Sequence, residues 1–340
     1  MKILIIQLRR IGDILLTTPV ISYLKENLPD STLHFLSEPV GKMVLETHPQ
    51  IDRLLLYDRA RSWDMIKMVR AERYDVVFDF MNNPRTGYLT LLSSARHRVG
   101  WKHPVRRFFY NTPIEVPPLP EYVPLRKLRM VESWLRKQHL LKAEPLFIRP
   151  QLFLSDEDNR AATEWMKKEG LAPGRFGIFA PASRYQIRMW KKEGVRRVAL
   201  EILKRHGVKS YLAWGPGEEG VMAEIRKGVE DKIGLLPPTT MRQMAAIFKP
   251  AAFVFSSDAG PMHTAVAVGT PTVTVYGPTR PVDWNPSLAD GGKKDIPLNV
   301  AELECLGCHL HECPIGNPCM KDLSEARVLD ACEKLLAGGK

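Results

Sequence analysis

Residues 2–8, KILIIQL, are too few for a helix and carry isoleucine or leucine at both odd and even positions, so the run has no polar face to give to water. Such a strand has to be covered on both sides, the condition of a parallel sheet held between layers of helices. Runs of the same character recur at 33–36, 76–80, 176–179, 210–213, 252–255 and 272–276. Helical patterns lie between them at 14–27, 63–72, 193–206, 219–230 and 241–248. The alternation holds in both halves and predicts an α/β fold of doubly wound parallel sheets, whose ligands bind beyond the carboxyl ends of the strands.

The pattern breaks between residues 145 and 154, where a helical stretch at 123–141 gives way to EPLFIRPQLFL. Ser155 then reads as the cap of a helix running to about residue 168, with Asp156 to Asp158 as an acidic first turn rather than a metal motif, because they precede a helix instead of ending a buried strand. The predicted division is 1–154 and 155–340, with the last helix free to pack back on the first domain. No apolar run reaches the roughly 18 residues of a spanning helix, and no cleavage region follows the N-terminal strand, so a cytoplasmic protein is expected.

Charge is uneven along the chain. Residues 1–150 hold 24 Lys and Arg against 15 Asp and Glu, or +9, and residues 151–340 hold 25 against 23, or +2. Such an excess suits an anionic partner: a phosphorylated substrate, an anionic lipid or a nucleic acid. No nucleic-acid-binding pattern accompanies it, so no nucleic acid is expected.

Two segments carry chemistry. After the first strand, Gly12 gives the chain freedom to turn and Asp13 opens a helix, where it is either a cap or a reactive carboxylate at the ligand end of the sheet. In FSSDAGPMHTAVAVGTPTVTVYGPT, residues 255–279, a strand ends at Ser257. Asp258, Ala259, Gly260 and Pro261 then lead into a helix, and a second turn, Gly277 to Thr279, follows the next strand. A glycine turn feeding a helix amino end favours a phosphate group.

On LRRIGDILLTTP (8–19), Trp190 with its basic neighbours, WGPGEE (214–219), residues 256–279 and the late cysteines, the sequence resembles glycosyltransferase family 9, the ADP-heptose:lipopolysaccharide heptosyltransferases. The opening is most similar to the heptosyltransferase III-like branch. The resemblance implies the GT-B fold, two Rossmann-like domains facing a central cleft, with acceptor on the N-terminal domain and nucleotide sugar on the C-terminal one. It implies an inverting transfer of heptose from ADP-L-glycero-D-manno-heptose to a phosphorylated lipopolysaccharide inner core, by an enzyme peripherally associated with the cytoplasmic surface of the inner membrane.

By the same resemblance Asp13 is the catalytic base and Arg188 the catalytic cation. Lys191 and Lys192 compete with Arg188, because Trp190-Lys191-Lys192 stands where the family usually has Trp-Pro. Donor-binding residues are Lys192, Glu218 (with Glu219 as its competitor), Asp258, Ala259, Gly260, Met262 and His263. The basic excess points to Arg10, Arg96, Arg98, Arg106 and Arg107 for the acceptor. No Asp-x-Asp element ends a strand, so a metal-independent reaction without a cofactor is expected. Cys305, Cys308, Cys313 and Cys319, with His309 and His311 among them, leave three options open: a structural metal, free or redox-sensitive thiols, or disulfides. Two other functions stay open: transfer from a different nucleotide sugar, and a nucleotide-binding relative without catalysis.

Overall fold

The computed structural model describes residues 1–118, 120–145 and 148–338, and the chain divides into two compact units, Met1–Phe153 and Leu154–Lys340. Of the break expected at 145–154, Leu146 and Phe147 lie outside the described residues.

The first unit is built on β1 (Lys2–Ile6), β2 (Thr32–Ser37), β3 (Arg53–Leu56), β4 (Val76–Asp79), β5 (His97–Trp101) and β6 (Thr112–Ile114), all parallel, in the order β3-β2-β1-β4-β5-β6. The second has β7 (Phe176–Ala180), β8 (Lys209–Leu212), β9 (Ile233–Leu235), β10 (Phe253–Ser257), β11 (Thr272–Val275) and β12 (Asp295–Leu298), in the order β12-β11-β10-β7-β8-β9. Each chain path lays three strands to one side, returns to the middle and lays three to the other. The reversal falls between β1 and β4 in one unit and between β7 and β10 in the other, and these switch points are where open α/β sheets bind ligands.

The sheets are α/β and doubly wound, as the alternation predicts. Ile3 to Ile6 are wholly buried, with Ile5 between Phe35 and Phe78 on the neighbouring strands. In the second sheet Phe179 lies between Leu212 and Phe255. Each such side chain contributes about 1.5–3 kcal/mol by leaving water.

Four local features differ from expectation or sharpen it. The helix expected at 14–27 is two helices, Ile11–Leu15 and Thr18–Asn27, broken at Thr17, where Pro19 fits the first turn of the second. The one expected at 219–230 stops at Arg226, because Gly228 turns at φ +76°. Ser155 does cap the helix Asp156–Glu169: its hydroxyl accepts from the Asp158 N–H at 3.1 Å, and the Asp158 carboxylate accepts from the Ser155 N–H at 3.0 Å. The last helix, Glu325–Gly338, buries Val328, Leu329, Cys332 and Leu335 and packs on the helix Lys192–His206 and on β10 to β12 of its own unit.

Candidate active site

In the first unit the switch point is lined by the turn after β1 and the end of β4. Asp13 is the third residue of the short helix Ile11–Leu15, half-buried, and its carboxylate accepts from the Arg10 N–H at 3.3 Å. Arg10 itself is exposed beside it. Beneath this turn lies a buried lysine that the sequence pattern alone does not single out. Lys127, on the helix Val123–Lys137, donates to the Asp13 carbonyl at 2.9 Å, to Thr17 Oγ1 at 2.6 Å and to Gln7 Oε1 at 3.2 Å.

Those three acceptors use all three protons of an ammonium group. Burial pulls the Lys127 pKa down to about 8 against the opposing charge of Asp13. The signal was in the helix pattern: Pro124, Leu128, Val131, Trp134 and Leu135 form the buried stripe, and Lys127 stands within it.

Asp79 closes β4 and is wholly buried. It accepts from Tyr110 Oη at 2.8 Å and from the Met81 and Asn82 N–H groups at 2.9 and 3.2 Å. Burial pushes its pKa up to about 6, against the pull of these donors. Arg106 Nη1 reaches the Asn82 carbonyl at 2.6 Å and so stands at this same end of the sheet. Arg107 is exposed next to Phe108.

Arg96 and Arg98 do not join this group. They sit at the amino end of β5, and Arg98 is spent on the Phe109 and Ala95 carbonyls, both at 3.3 Å. In a parallel sheet that end is opposite the one that carries Asp13 and Asp79.

In the second unit the groups meet as the motif requires, with two corrections. Arg188 ends a short 3₁₀ turn, Gln186–Arg188, just after β7, and its Nη1 lies 3.5 Å from Oδ2 of Asp258, which follows β10. The guanidinium is partly exposed, stands 5.1 Å over the Tyr185 ring and has a carboxylate almost fully buried beneath it. Trp190 anchors the turn from below, donating from Nε1 to the Leu323 carbonyl at 3.2 Å. Lys191 takes φ −58°, the value that a proline ring would fix, so the backbone after Trp190 keeps its course without the proline.

The first correction concerns Lys192. It is ion-paired with Glu224 on the helix Glu219–Arg226, while Lys191 reaches Glu325 at 3.3 Å. Of the three cations considered, only Arg188 faces Asp258. The second is Met262, whose side chain is fully buried against Val266 and Tyr276 and whose N–H is given to the Ala259 carbonyl at 3.2 Å. In this structure the Lys192 ammonium is turned to Glu224 and the Met262 side chain to the core.

Ala259 caps the helix Gly260–Ala267 in extended conformation, and a side chain placed on Gly260 would meet nothing within 4 Å, so the helix start is open on that side. His263 is buried with its ring 5.9 Å from Trp284. Glu218 lies at the carboxyl end of β8, where its carboxylate accepts from the Gly215 N–H at 2.7 Å and burial raises its pKa; Glu219 points to solvent as the first residue of its helix.

Gly277 serves packing rather than a ligand, because a Cβ there would lie 2.6 Å from Cys319 Sγ. The segment that holds the late cysteines is tied to this turn by the Gly307 N–H to the Gly277 carbonyl (2.8 Å) and the His309 N–H to the Pro278 carbonyl (2.7 Å). It also braces the Arg188 turn: Asn317 Nδ2 donates to the Ile187 carbonyl at 3.0 Å, and the His311 ring lies 4.6 Å from Tyr185. The five cysteines are free thiols, and among the described residues no three His, Cys, Asp or Glu side chains are grouped so as to hold a metal ion. The geometry therefore does not assemble the metal option for Cys305, Cys308, Cys313 and Cys319. Burial, with the neighbouring thiols adding to it, pushes Cys319 up to about 11.

Two Rossmann-like units with charged switch points and an anion-favouring helix start are the architecture of a GT-B glycosyltransferase. Residues 62–316 match the model of glycosyltransferase family 9 (heptosyltransferase), and the chain belongs to that family. It is 28% identical over 294 residues to lipopolysaccharide heptosyltransferase 3 of Escherichia coli K12, covering 81% of this chain and 82% of the relative.

Among solved structures it resembles the family 9 glycosyl transferase of Veillonella parvula, with a TM-score of 0.82 at 22% identity over 99% of this chain and 97% of the other. It also resembles the E. coli heptosyltransferase WaaC with ADP-2-deoxy-2-fluoro heptose, with a TM-score of 0.74 at 19% identity over 98% and 99%. The GT-B fold is thereby shown, and the protein is a glycosyltransferase of the heptosyltransferase type.

Proposed function

We propose that the protein transfers heptose from ADP-heptose to a phosphorylated lipopolysaccharide core sugar, with inversion and without a metal ion. The observation that carries this reading is the Arg188–Asp258 pair at the start of the helix Gly260–Ala267. A partly exposed guanidinium, fixed from below by a buried carboxylate, stands beside a helix amino end, and both favour the charge that develops on a departing diphosphate. Asp258 thus positions Arg188. Glu218, a half-buried carboxylate at the neighbouring strand end, suits the ribose hydroxyls. Lys192 and Met262 have no part in the donor site.

In the first unit Asp13 takes the proton from the acceptor hydroxyl as the hydroxyl oxygen bonds to the anomeric carbon and the ADP oxygen leaves. Lys127 holds the backbone of that turn, and Arg10 and Arg106 supply positive charge for the acceptor's phosphates. Arg96 and Arg98, at the far end of the sheet, are not among them. Such a lipid-borne acceptor places the enzyme at the cytoplasmic face of the inner membrane. Among the described residues no helix is long and apolar enough to cross a membrane, which fits attachment from one side.

The experiment is to offer a panel of nucleotide sugars to the protein and follow its thermal midpoint, then to assay transfer to a core acceptor with and without EDTA. Stabilisation by ADP-heptose above the other donors, and turnover that survives EDTA, are expected. Preference for another nucleotide sugar would change the donor, and activity restored only by magnesium would overturn the metal-free step.

A further inference from the structure

The first unit displays an apolar surface that its own core does not use. Trp63 is 71% exposed, Tyr88 53%, Val105 74% and Phe108 56%, whereas Phe78 and Trp134 of the same unit are fully buried. The exposed rings are connected. Trp63 and Tyr88 wall one groove of about 370 Å³, with Ile66, Leu89 and Leu92. The Tyr88 ring meets Phe109 edge-on at 5.0 Å, and Phe109 leans on Phe108 at 4.1 Å. Scattered exposed apolar side chains are ordinary, but a connected patch of rings marks a surface that meets something.

The chain through Tyr88, Val105 and Phe108 is basic, while Asp58 and Asp64 flank Trp63. Residues 80–114 contain Arg85, Arg96, Arg98, Lys102, Arg106 and Arg107 and no Asp or Glu. Arg85 and Arg61, at the groove and its edge, are paired with Glu38 and Asp64. Arg59, Lys67 and Arg107 have no such partner among the described residues. Lys67 stands one helical turn from Trp63, and Arg107 is next to Phe108, so these cations border the rings.

We propose that this face docks the protein on an anionic bilayer, with Trp63, Tyr88 and Phe108 entering the headgroup layer and Arg59, Lys67 and Arg107 against the lipid phosphates. The proposal deepens the reading of the protein as a transferase with a lipid-borne acceptor. A bilayer suits the patch better than an acidic protein does. Aromatic rings are favoured at the boundary between headgroups and acyl chains, and unpaired basic side chains are drawn to anionic lipid, whereas the core of a protein interface is depleted in charged residues.

The test is co-sedimentation of the full chain with phosphatidylcholine vesicles and with vesicles carrying about 30% phosphatidylglycerol, at low and high salt. Binding to the anionic vesicles alone, weakened by salt, is expected. Trp63→Ser with Phe108→Ser should lower it about tenfold or more, leaving the thermal midpoint and turnover on a soluble, deacylated acceptor unchanged. With Trp63→Phe, vesicles should still bind, and the lipid-induced blue shift of tryptophan fluorescence should disappear.

Equal binding to neutral vesicles, no binding, or wild-type binding by the double variant would overturn the proposal. So would a wild-type dimer that the double variant splits, which would give the patch to a second copy of the chain. Failure here with turnover intact removes only the docking face; absence of turnover on the soluble acceptor removes the transferase reading.

Discussion

The two switch points are built on one wiring plan with opposite polarity. After β1 a half-exposed carboxylate, Asp13, sits above a buried ammonium, Lys127; after β7 a partly exposed guanidinium, Arg188, sits above a buried carboxylate, Asp258. In each unit topology fixes the place, and the buried group of the other sign steadies the turn that presents the working one. The exposed sign then sets the chemistry, since an anion can accept a proton from a hydroxyl and a cation can stabilise a leaving diphosphate. In the proposed reaction a repeated fold is divided between two chemical roles by a few charged side chains, not by a change of architecture.

Asp13→Asn should have the largest effect. Asn caps a helix about as well as Asp, so a mere cap predicts little change, whereas loss of a general base lowers turnover by about 10²- to 10⁴-fold. Single-turnover assays with the donor saturating separate the two outcomes. Arg188→Ala comes next, with a fall in kcat of about 10²- to 10³-fold and a smaller change in donor affinity, because the charge it meets is greatest in the transition state. Lys192→Ala, which removes a residue already paired with Glu224, should change kcat far less. The reverse order in the same assay would mean that Arg188 is not the cation in use.

Lys127→Met should lower kcat by about 10- to 100-fold through a displaced Asp13, with little effect on donor affinity. A purely structural role would lower stability and leave the pH profile alone. Here the profile itself should change. Lys127 loses a proton near pH 8, and with it one of three donors, so wild-type turnover should decline as pH rises through that value and the variant should lack this limb.

A further effect is on stability. The Asp79 pKa is higher in the folded chain, about 6 against an ordinary 3.8. The folded state therefore holds the proton more tightly, and its contribution, present below the ordinary value, is lost as pH rises through about 6. Denaturant unfolding should show that decline in the wild type, by about 3 kcal/mol, and a flatter curve in Asp79→Asn.

What could be read from sequence follows the same physical lines. β1, β7 and β10 are covered on both faces and announce themselves as unbroken apolar runs. β6 and β12 are sheet edges, and each contains a proline, Pro113 and Pro297, which an edge strand tolerates and which hides it from a search for apolar runs. Asp13, Asp258 and Gly260 stand out because each follows a strand that ends at the ligand side of its sheet, whereas Arg188 is picked out by the family resemblance alone.

Lys127 was missed because its charge hid a core position, although the helical stripe around it gave the place. For Met262 and Lys192, spacing puts both beside the site, and packing adds that one side chain is core and the other is ion-paired. Arg96 and Arg98 were grouped by composition, which carries no information about which end of a strand a residue occupies.

Donor recognition in the second unit and proton transfer in the first can be told apart by titrating ADP-heptose into Asp13→Asn and Asp258→Ala by calorimetry. Wild-type affinity is expected for Asp13→Asn and a loss of about tenfold or more for Asp258→Ala, which frees Arg188 from its anchor. Wild-type affinity in Asp258→Ala together with lost affinity in Asp13→Asn would contradict that division.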